Sequence, residues 1–240
     1  DFAVRTFEPM EPAVPEKKHG SSHSLSEFES LNYLSDHGVP IPPQAIAATA
    51  DAAAEEAGKL GYPVSVKIHS RDIRHKSDVG GVKLNIRDEA ELRAAFAAVM
   101  DNCAKNAPDA KLEGVLIKPM LKYGTEMIIG VNNDRDFGPM IMVGMGGVFV
   151  ELFKDVALAP APLTGKQAMD MIESLASYPL LGGYRGGAVC DKEALADLLV
   201  KISEMAAEGK DKVKELDINP VFITEDGAAI ADALLVLYDD

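Results

Sequence analysis

Basic side chains are scarce in this sequence. It contains 24 Lys and Arg residues against 38 Asp and Glu residues, which gives a formal net charge of −14 at pH 7. A protein of this charge is repelled by nucleic-acid backbones and by anionic membrane surfaces. The composition therefore argues against a general nucleic-acid binder or membrane-surface protein, and we expect partners of neither kind.

Cysteines and long apolar runs are also scarce. The sequence has two cysteines, Cys103 and Cys190, no C-x-x-C motif and no Cys and His spacing typical of zinc. The most apolar stretch, residues 139–152, is too short to span a membrane and contains three glycines. No signal-peptide pattern is present, so we expect a cytoplasmic protein with free thiols. Because the first residue is Asp rather than Met, we also expect a processed or partial chain.

A basic loop between two strand patterns stands out against this acidic background. Residues 63–68 alternate in polarity, which predicts a strand with Lys67 on its polar face. The residues that follow combine cationic side chains with paired glycines: Arg71, Arg74, His75, Lys76, Gly80 and Gly81. Such a segment is typical of a phosphate-binding loop, although a solvated hairpin has a similar composition. It is neither a Walker loop nor a Rossmann fingerprint.

The end of the chain predicts a hairpin that carries oxygen ligands. With Asp226-Gly227 as its turn, Asn219 becomes a diagonal neighbour of Asp232 on one face of the sheet, and alternation adds Asp217. Two or three oxygen ligands together with phosphate oxygens suit Mg²⁺. We therefore predict a magnesium site here, with a solvated hairpin face as the alternative.

Helix and strand patterns divide the chain into three parts. Residues 1–22 have the composition of a linker or tail. Residues 23–115 form a first lobe and residues 116–240 a second, and the helix predicted at 26–37 is able to pack on the second lobe. Either Ser24 or Ser26 can cap that helix. Further helices are predicted at 51–60 with Asp51 as its cap, from Asp88, at 164–176 and at 191–206. A strand is predicted at 148–152 and a glycine-rich loop at 180–187. The expected fold class is α/β with two lobes.

Taken in order, several motifs resemble the ATP-grasp domain of ADP-forming acyl-CoA synthetases, which are relatives of the nucleotide-binding half of succinyl-CoA synthetase. The motifs are SDVGGVKL, TEMIIGVNNDRDFGPMIMVGMGGVFVELFKD, GYRGG, ELDINPV and DALL, and the likeness covers residues 24–238. It implies an ATP-grasp fold in which nucleotide lies between two mostly antiparallel sheets flanked by helices. It also implies an acid–thiol ligase that interconverts acid, CoA and ATP with acyl-CoA, ADP and phosphate through phosphohistidine intermediates.

The resemblance also implies roles for single residues. His75, in the motif HKSD, would carry the phosphoryl group, with His69 as a competitor for that role. The nucleotide contacts would be Lys67, Gly80, Gly81, Leu116, Ile117, Lys118, Glu126, Gly146 and Gly147. The magnesium ligands would be Asn219 and Asp232, with Asp217 close by. At the hinge, relatives often have the sequence V-Q-E-M where this chain has I-K-P-M, so Pro119 replaces the usual hinge carboxylate. Recognition of the nucleotide base would then depend on backbone groups of residues 116–118.

The sequence contains no pattern for a CoA-binding half. The resemblance therefore implies a CoA-binding alpha subunit or domain as partner in a hetero-oligomer, and we expect the chain to be incomplete without it. A second hypothesis is an ATP-grasp domain that senses ligands for a protein acetyltransferase, and a third is a purely structural module. The presence of His75, Lys67, Asn219 and Asp232 favours the active enzyme.

Overall fold

The computed structural model describes residues 21–73, 75–147, 155–183 and 189–239, which form eleven strands and six helices. The strands are β1 (Ser22–Ser24), β2 (Ala45–Ala47), β3 (Val64–Ile68), β4 (Val82–Ile86), β5 (Val115–Pro119), β6 (Thr125–Asp134), β7 (Gly138–Met145), β8 (Val156–Pro160), β9 (Val213–Thr224), β10 (Gly227–Ile230) and β11 (Ala233–Tyr238). The helices are α1 (Glu27–Asp36), α2 (Ala50–Leu60), α3 (Glu89–Asn106), α4 (Gly165–Glu173), α5 (Tyr178–Leu181) and α6 (Lys192–Glu208).

The strands form two antiparallel sheets. The small sheet has the order β2-β5-β3-β4, and the large sheet has the order β1-β11-β9-β6-β7-β8 with β10 paired to β9. Helices pack on both sheets. The predicted fold class, two mostly antiparallel sheets flanked by helices, is confirmed.

The small sheet covers a core shared with α2 and α3. Val64, Val66 and Ile68 of β3 are fully buried there. The intervening Lys67 points to the opposite face of the sheet, as the alternation predicts. This arrangement presents the Lys67 ammonium group to the space between the two sheets.

The large sheet covers a second core, which contains part of the chain's first helix. Leu31 and Leu34 of α1 are fully buried in it, next to residues of α4 and α6. The helix therefore packs on the large sheet although it precedes every strand of the small one. In contrast, β5 pairs with β2 and β3, so the small sheet extends to Pro119.

Side chains with a cap-forming oxygen set the starts of the helices. Ser26 accepts a hydrogen bond from the Glu29 amide, and Glu29 reaches back to the Ser26 amide, which forms a capping box. Asp88 caps α3 as predicted. The predicted cap of α2 is wrong: Thr49 caps it, and Asp51 instead pairs with Arg93 across to α3.

The hairpin at the end of the chain differs from its predicted register. Its loop is Glu225-Asp226, because Thr224 pairs with Gly227. The Thr224 hydroxyl accepts a hydrogen bond from the Asp226 amide, and Lys122 pairs with both loop carboxylates. Because the loop lies one residue earlier than predicted, every pairing moves by two residues, which places Asn219 directly opposite Asp232, with the Asn219 amide donating to the Asp232 carbonyl at 3.2 Å.

Two predicted segments fall partly or wholly outside the described residues. The strand predicted at 148–152 lies outside them, and so do residues 184–187 of the predicted loop at 180–187. The start of that loop is instead the end of α5. None of the described helices is long and apolar enough to cross a bilayer.

The packing of α1 on the large sheet can be tested with Leu34→Ala. We expect the free energy of unfolding to fall by about 2–5 kcal/mol, because the change removes buried methyl groups and leaves a cavity. Leu158→Ala is the matched control, since Leu158 is 62% exposed. Urea unfolding followed by circular dichroism measures both variants. Equal losses for the two variants would show that α1 is not part of this core.

Candidate active site

A cavity of about 550 Å³ lies between the two sheets, and we call it the first cavity. The small sheet and the loop after β3 contribute Lys67, Leu84 and Lys76, and the large sheet contributes Glu126 and Phe222. Its lining is thus partly cationic and partly apolar. A cavity of this kind holds a ligand that combines anionic groups with a flat apolar part.

The cations in this cavity are gathered around one carboxylate. Glu27 Oε1 accepts hydrogen bonds from Lys67 Nζ at 2.7 Å and from Lys118 Nζ, and Glu27 Oε2 lies 3.2 Å from Lys76 Nζ. The contact with Lys76 is an ion pair without hydrogen-bond geometry. The Glu27 side chain is 2% exposed, and those of Lys118, Lys67 and Lys76 are 4%, 12% and 15% exposed. Four charges are therefore held largely away from bulk water.

The pKa values of the cluster follow from burial and from these neighbours. Burial acts to raise the pKa of Glu27, but Lys118, Lys67 and Lys76 outweigh it and lower the pKa to about 2. Burial also acts against the charge on Lys67, yet Glu27 and Asp232 raise its pKa. The pKa of Lys118 is lowered, mainly by burial and also by the charge of Lys67. The carboxylate of Glu27 acts in the opposite direction and offsets part of this lowering.

A second cavity of about 360 Å³ adjoins the first. His75, Lys76 and Asp232 line both cavities, whereas Glu27 and Asn219 line the second. His75 is exposed. His69, the competing histidine, packs elsewhere, with its ring 6.1 Å from that of Phe28. The geometry thus places His75 at the junction of the two cavities.

Gly80 and Gly81 shape the loop that carries His75. Their amides donate to the carbonyls of Ser77 and Lys76 at 3.1 and 2.7 Å, so both amides are occupied within the loop. Gly80 has φ +71°, and a Cβ on Gly81 would lie 2.7 Å from Ile68 Cγ2. These glycines are therefore required by the turn and its packing on β3, and their position over phosphates stays a prediction.

The stretch that lines the first cavity at the end of β5 begins at Lys118, the last of the three residues predicted to contact nucleotide there. Leu116 and Ile117 are fully buried, and β5 pairs there with strands on both of its sides. Lys118, Pro119, Met120 and Leu121 line the cavity instead. Lys118 contributes its side chain, which also donates to the Ala231 carbonyl.

Glu126 lies in the first cavity beneath a glycine turn. The Gly146 amide donates to the Glu126 carbonyl at 2.7 Å, and a Cβ on Gly147 would lie 3.1 Å from Glu126 Oε2. Glu126 also raises the pKa of Tyr123, through its charge and a hydrogen bond. The Tyr123 ring lies 5.4 Å from that of Phe222, and both rings line the cavity.

The three predicted metal ligands share one face of the large sheet. Asn219 lies opposite Asp232, and Asp217 lies two residues away on β9. Burial, Glu215 and Asp232 raise the pKa of Asp217, so negative charge accumulates here without full compensation. Within the described ranges, no group of three or more His, Cys, Asp or Glu side chains forms a metal site. Two carboxylates and an amide nevertheless fit Mg²⁺, which retains waters and takes phosphate oxygens as ligands.

Comparison with known proteins decides the family. The ATP-grasp domain family matches residues 16–237. The chain belongs to the ATP-grasp family. This confirms the resemblance on which the sequence analysis drew.

Relatives place this ATP-grasp chain more narrowly. The beta subunit of ADP-forming acetate–CoA ligase I from Pyrococcus furiosus is 44% identical over 224 residues, which are 93% of this chain and 96% of that subunit. ADP-forming acetate–CoA ligase I from Archaeoglobus fulgidus is 42% identical over 95% of this chain, which matches 33% of that longer protein. The chain thus corresponds to the beta-subunit, ATP-grasp part of ADP-forming acetate–CoA ligases, and the predicted ligase class is confirmed.

A solved structure shows the same fold. Acetyl-coenzyme A synthetase 1 of Ca. Korarchaeum cryptofilum, in complex with coenzyme A and Mg-AMPPCP, superposes with a TM-score of 0.79 at 37% identity. The match covers 89% of this ATP-grasp chain and 92% of that chain. Its phosphohistidine segment points towards the nucleotide-binding site.

Sequence reasoning missed Glu27. It identified the start of α1 but gave its first residue no role, because the ion pairs of Glu27 join positions far apart in the sequence. Tyr123 and Phe222 were missed as cavity residues for the same reason. The only local signal was the capping box at Ser26 and Glu29, which fixes where the helix begins and hence where Glu27 stands.

The lowered pKa of Glu27 predicts that the free energy of unfolding depends on pH, and that the variant Glu27→Gln lacks this dependence. The value falls from 4.5 to about 2 on folding, so ionised Glu27 stabilises the fold fully above pH 4.5 and progressively less as the pH falls to 2. This contribution is about 3 kcal/mol. We expect the difference in unfolding free energy between the parent and Glu27→Gln to shrink below pH 4.5. Urea titrations from pH 6 to pH 3 measure it, and parallel pH profiles would contradict the assignment.

Proposed function

We propose that this chain is the nucleotide-binding subunit of an ADP-forming acyl-CoA ligase, and that it works with a separate CoA-binding partner in the cytoplasm. The observation that carries the proposal is the first cavity, where three lysines face two aromatic rings between the sheets. Similarity to a beta subunit supports the division into two polypeptides, and so does the match to one third of a longer ligase. The reaction is acid, CoA and ATP to acyl-CoA, ADP and phosphate.

The first cavity suits a nucleoside triphosphate. Lys67, Lys76 and Lys118 supply ammonium groups for the phosphates, and the rings of Tyr123 and Phe222 supply an apolar surface for the base. Phosphoryl transfer needs positioning and charge neutralisation more than covalent help from the protein. Largely buried lysines provide this neutralisation more strongly than exposed ones, because water screens them less.

Asp217, Asn219 and Asp232 are the residues that would hold Mg²⁺. When bound, the ion neutralises charge on the phosphate oxygens. Asp232 also accepts a hydrogen bond from Lys67 at 2.9 Å, so the same carboxylate orients a phosphate-binding lysine. A relative that carries Mg-AMPPCP supports this choice of metal.

His75 is the phosphoryl acceptor in this proposal. A neutral imidazole nitrogen attacks the γ-phosphorus of ATP, the bond from that phosphorus to the bridging oxygen breaks, and ADP leaves. His75 lines both cavities. The phosphoryl group can therefore be received in the first cavity and passed on through the second, which is where the partner would approach.

The first test is ATP binding by Lys67→Met. We expect Mg-ATP affinity to fall roughly tenfold to a hundredfold, because one charge-assisted contact to phosphate is lost. EDTA should weaken binding by the parent protein as well. Isothermal titration calorimetry measures the dissociation constants.

Lys122→Met is the control for that test, since the exposed Lys122 pairs with Glu225 and Asp226. It should bind Mg-ATP like the parent protein. A folded parent protein that shows no saturable ATP binding would contradict the proposed function.

The second test is phosphorylation of His75. Incubation with γ-labelled ATP and Mg²⁺ should give an acid-labile, base-stable label that His75→Asn abolishes. His69→Asn should retain the label, because the His69 ring packs against Phe28. ATP binding without any histidine label would instead favour the hypothesis of a sensing domain.

A further inference from the structure

We propose that Glu27 is a positioning residue, whose carboxylate holds the ammonium groups of Lys67, Lys76 and Lys118 together beside the phosphates of the bound nucleotide. This inference rests on the proposed function and adds a residue to it. It concerns how the site is assembled rather than which ligand it takes.

The first argument is where Glu27 stands relative to the first cavity. All three lysines line that cavity, whereas Glu27 lines the second cavity and not the first. Its carboxylate therefore lies behind the lysines as seen from the nucleotide. A carboxylate that competed with the phosphates for the lysines would instead line the first cavity itself.

The second argument is the count of hydrogen bonds. Each ammonium group has three donors. Lys118 gives donors to Glu27 and to the Ala231 carbonyl, and Lys76 is held by Glu27 through an ion pair. These two lysines thus retain donors for a phosphate while Glu27 fixes where their ammonium groups lie. Lys67 donates to Glu27, to Asp232 and to the Ala231 carbonyl, so its contribution to phosphate binding in this arrangement is its charge.

The third argument is electrostatic. Lys67 and Lys118 are neighbours on β3 and β5 and repel each other, and burial disfavours the charge on both. A single carboxylate oxygen that accepts from both amines allows the two cations to stay together. Without it, each lysine is expected to turn away from the other and from the site.

The fourth argument is that Glu27 joins separate parts of the fold. It is the first residue of α1, which packs on the large sheet, while its partners belong to the small sheet and to the loop that carries His75. Lys76 directly follows His75. Glu27 therefore ties the phosphate-binding lysines and the neighbour of the proposed acceptor to one rigid helix.

The test compares Glu27→Gln, Glu27→Asp and Glu29→Gln. Glu29 lies on the same turn of α1 but contacts Ser26 and Arg71 rather than the lysines. We expect Glu27→Gln to weaken Mg-ATP binding roughly tenfold or more, Glu27→Asp to restore much of the loss, and Glu29→Gln to bind like the parent protein. Calorimetry gives the dissociation constants, and thermal unfolding shows that each variant is folded.

A double-mutant cycle with Lys118→Met adds a readout that a structural role would not change. If Glu27 acts through Lys118, the losses from Glu27→Gln and Lys118→Met are less than additive in the double variant. Should Glu27→Gln fail to fold, Glu27→Asp and Lys76→Met carry the test, and the latter should also weaken ATP binding.

Three results would overturn the proposal. They are parent-like affinity in Glu27→Gln, tighter ATP binding in that variant (which would make Glu27 a competing anion), and an equal loss in Glu29→Gln. Each leaves the proposed function intact, because the parent protein still binds ATP. Failure of the parent protein to bind ATP would overturn both proposals.

Discussion

The ion cluster around Glu27 is the interaction on which the candidate site depends. Moving one charge out of water costs several kcal/mol, and a buried charge is tolerated only when it is paired and hydrogen-bonded. Here one carboxylate pairs with three ammonium groups, and Asp232 adds a second carboxylate beside Lys67. Breaking such a cluster leaves uncompensated charges in the interior. The cluster therefore constrains the distance between α1, the small sheet and the loop that carries His75.

The cluster also accounts for the position of cationic groups in an acidic protein. A body with a formal charge of −14 repels an anionic ligand at long range. Binding then depends on local charges in a partly enclosed cavity, where screening is weak. Lys67, Lys76 and Lys118 provide those local charges, and the negative charge at Asp217 and Asp232 favours the divalent cation of the proposed function at that place.

The sequence predicts features that depend on near neighbours in the chain. Alternation along β3 placed Lys67 opposite a buried face, and capping patterns located two helix starts, at Ser26 (one of two candidate caps) and at Asp88. A choice between adjacent residues is harder. The hairpin loop lies one residue earlier than predicted, which changes the pairing of its strands by two residues, and the Thr224 hydroxyl accepts a hydrogen bond from the Asp226 amide in that loop. The cluster itself was beyond prediction, because Glu27 and Lys118 are separated by 91 positions and no local pattern connects them.

The loop that carries His75 shows why fixed ends are useful at such a site. Asn102 and Asn106 of α3 donate to the carbonyls of Gly80 and Val79, and Gly81 is packed against Ile68. The C-terminal end of the loop is thus fastened to the small sheet, and Lys76 is fastened to α1 through Glu27. His75 borders both cavities, so the proposed phosphoryl acceptor lies where a group received in one cavity is next to the other.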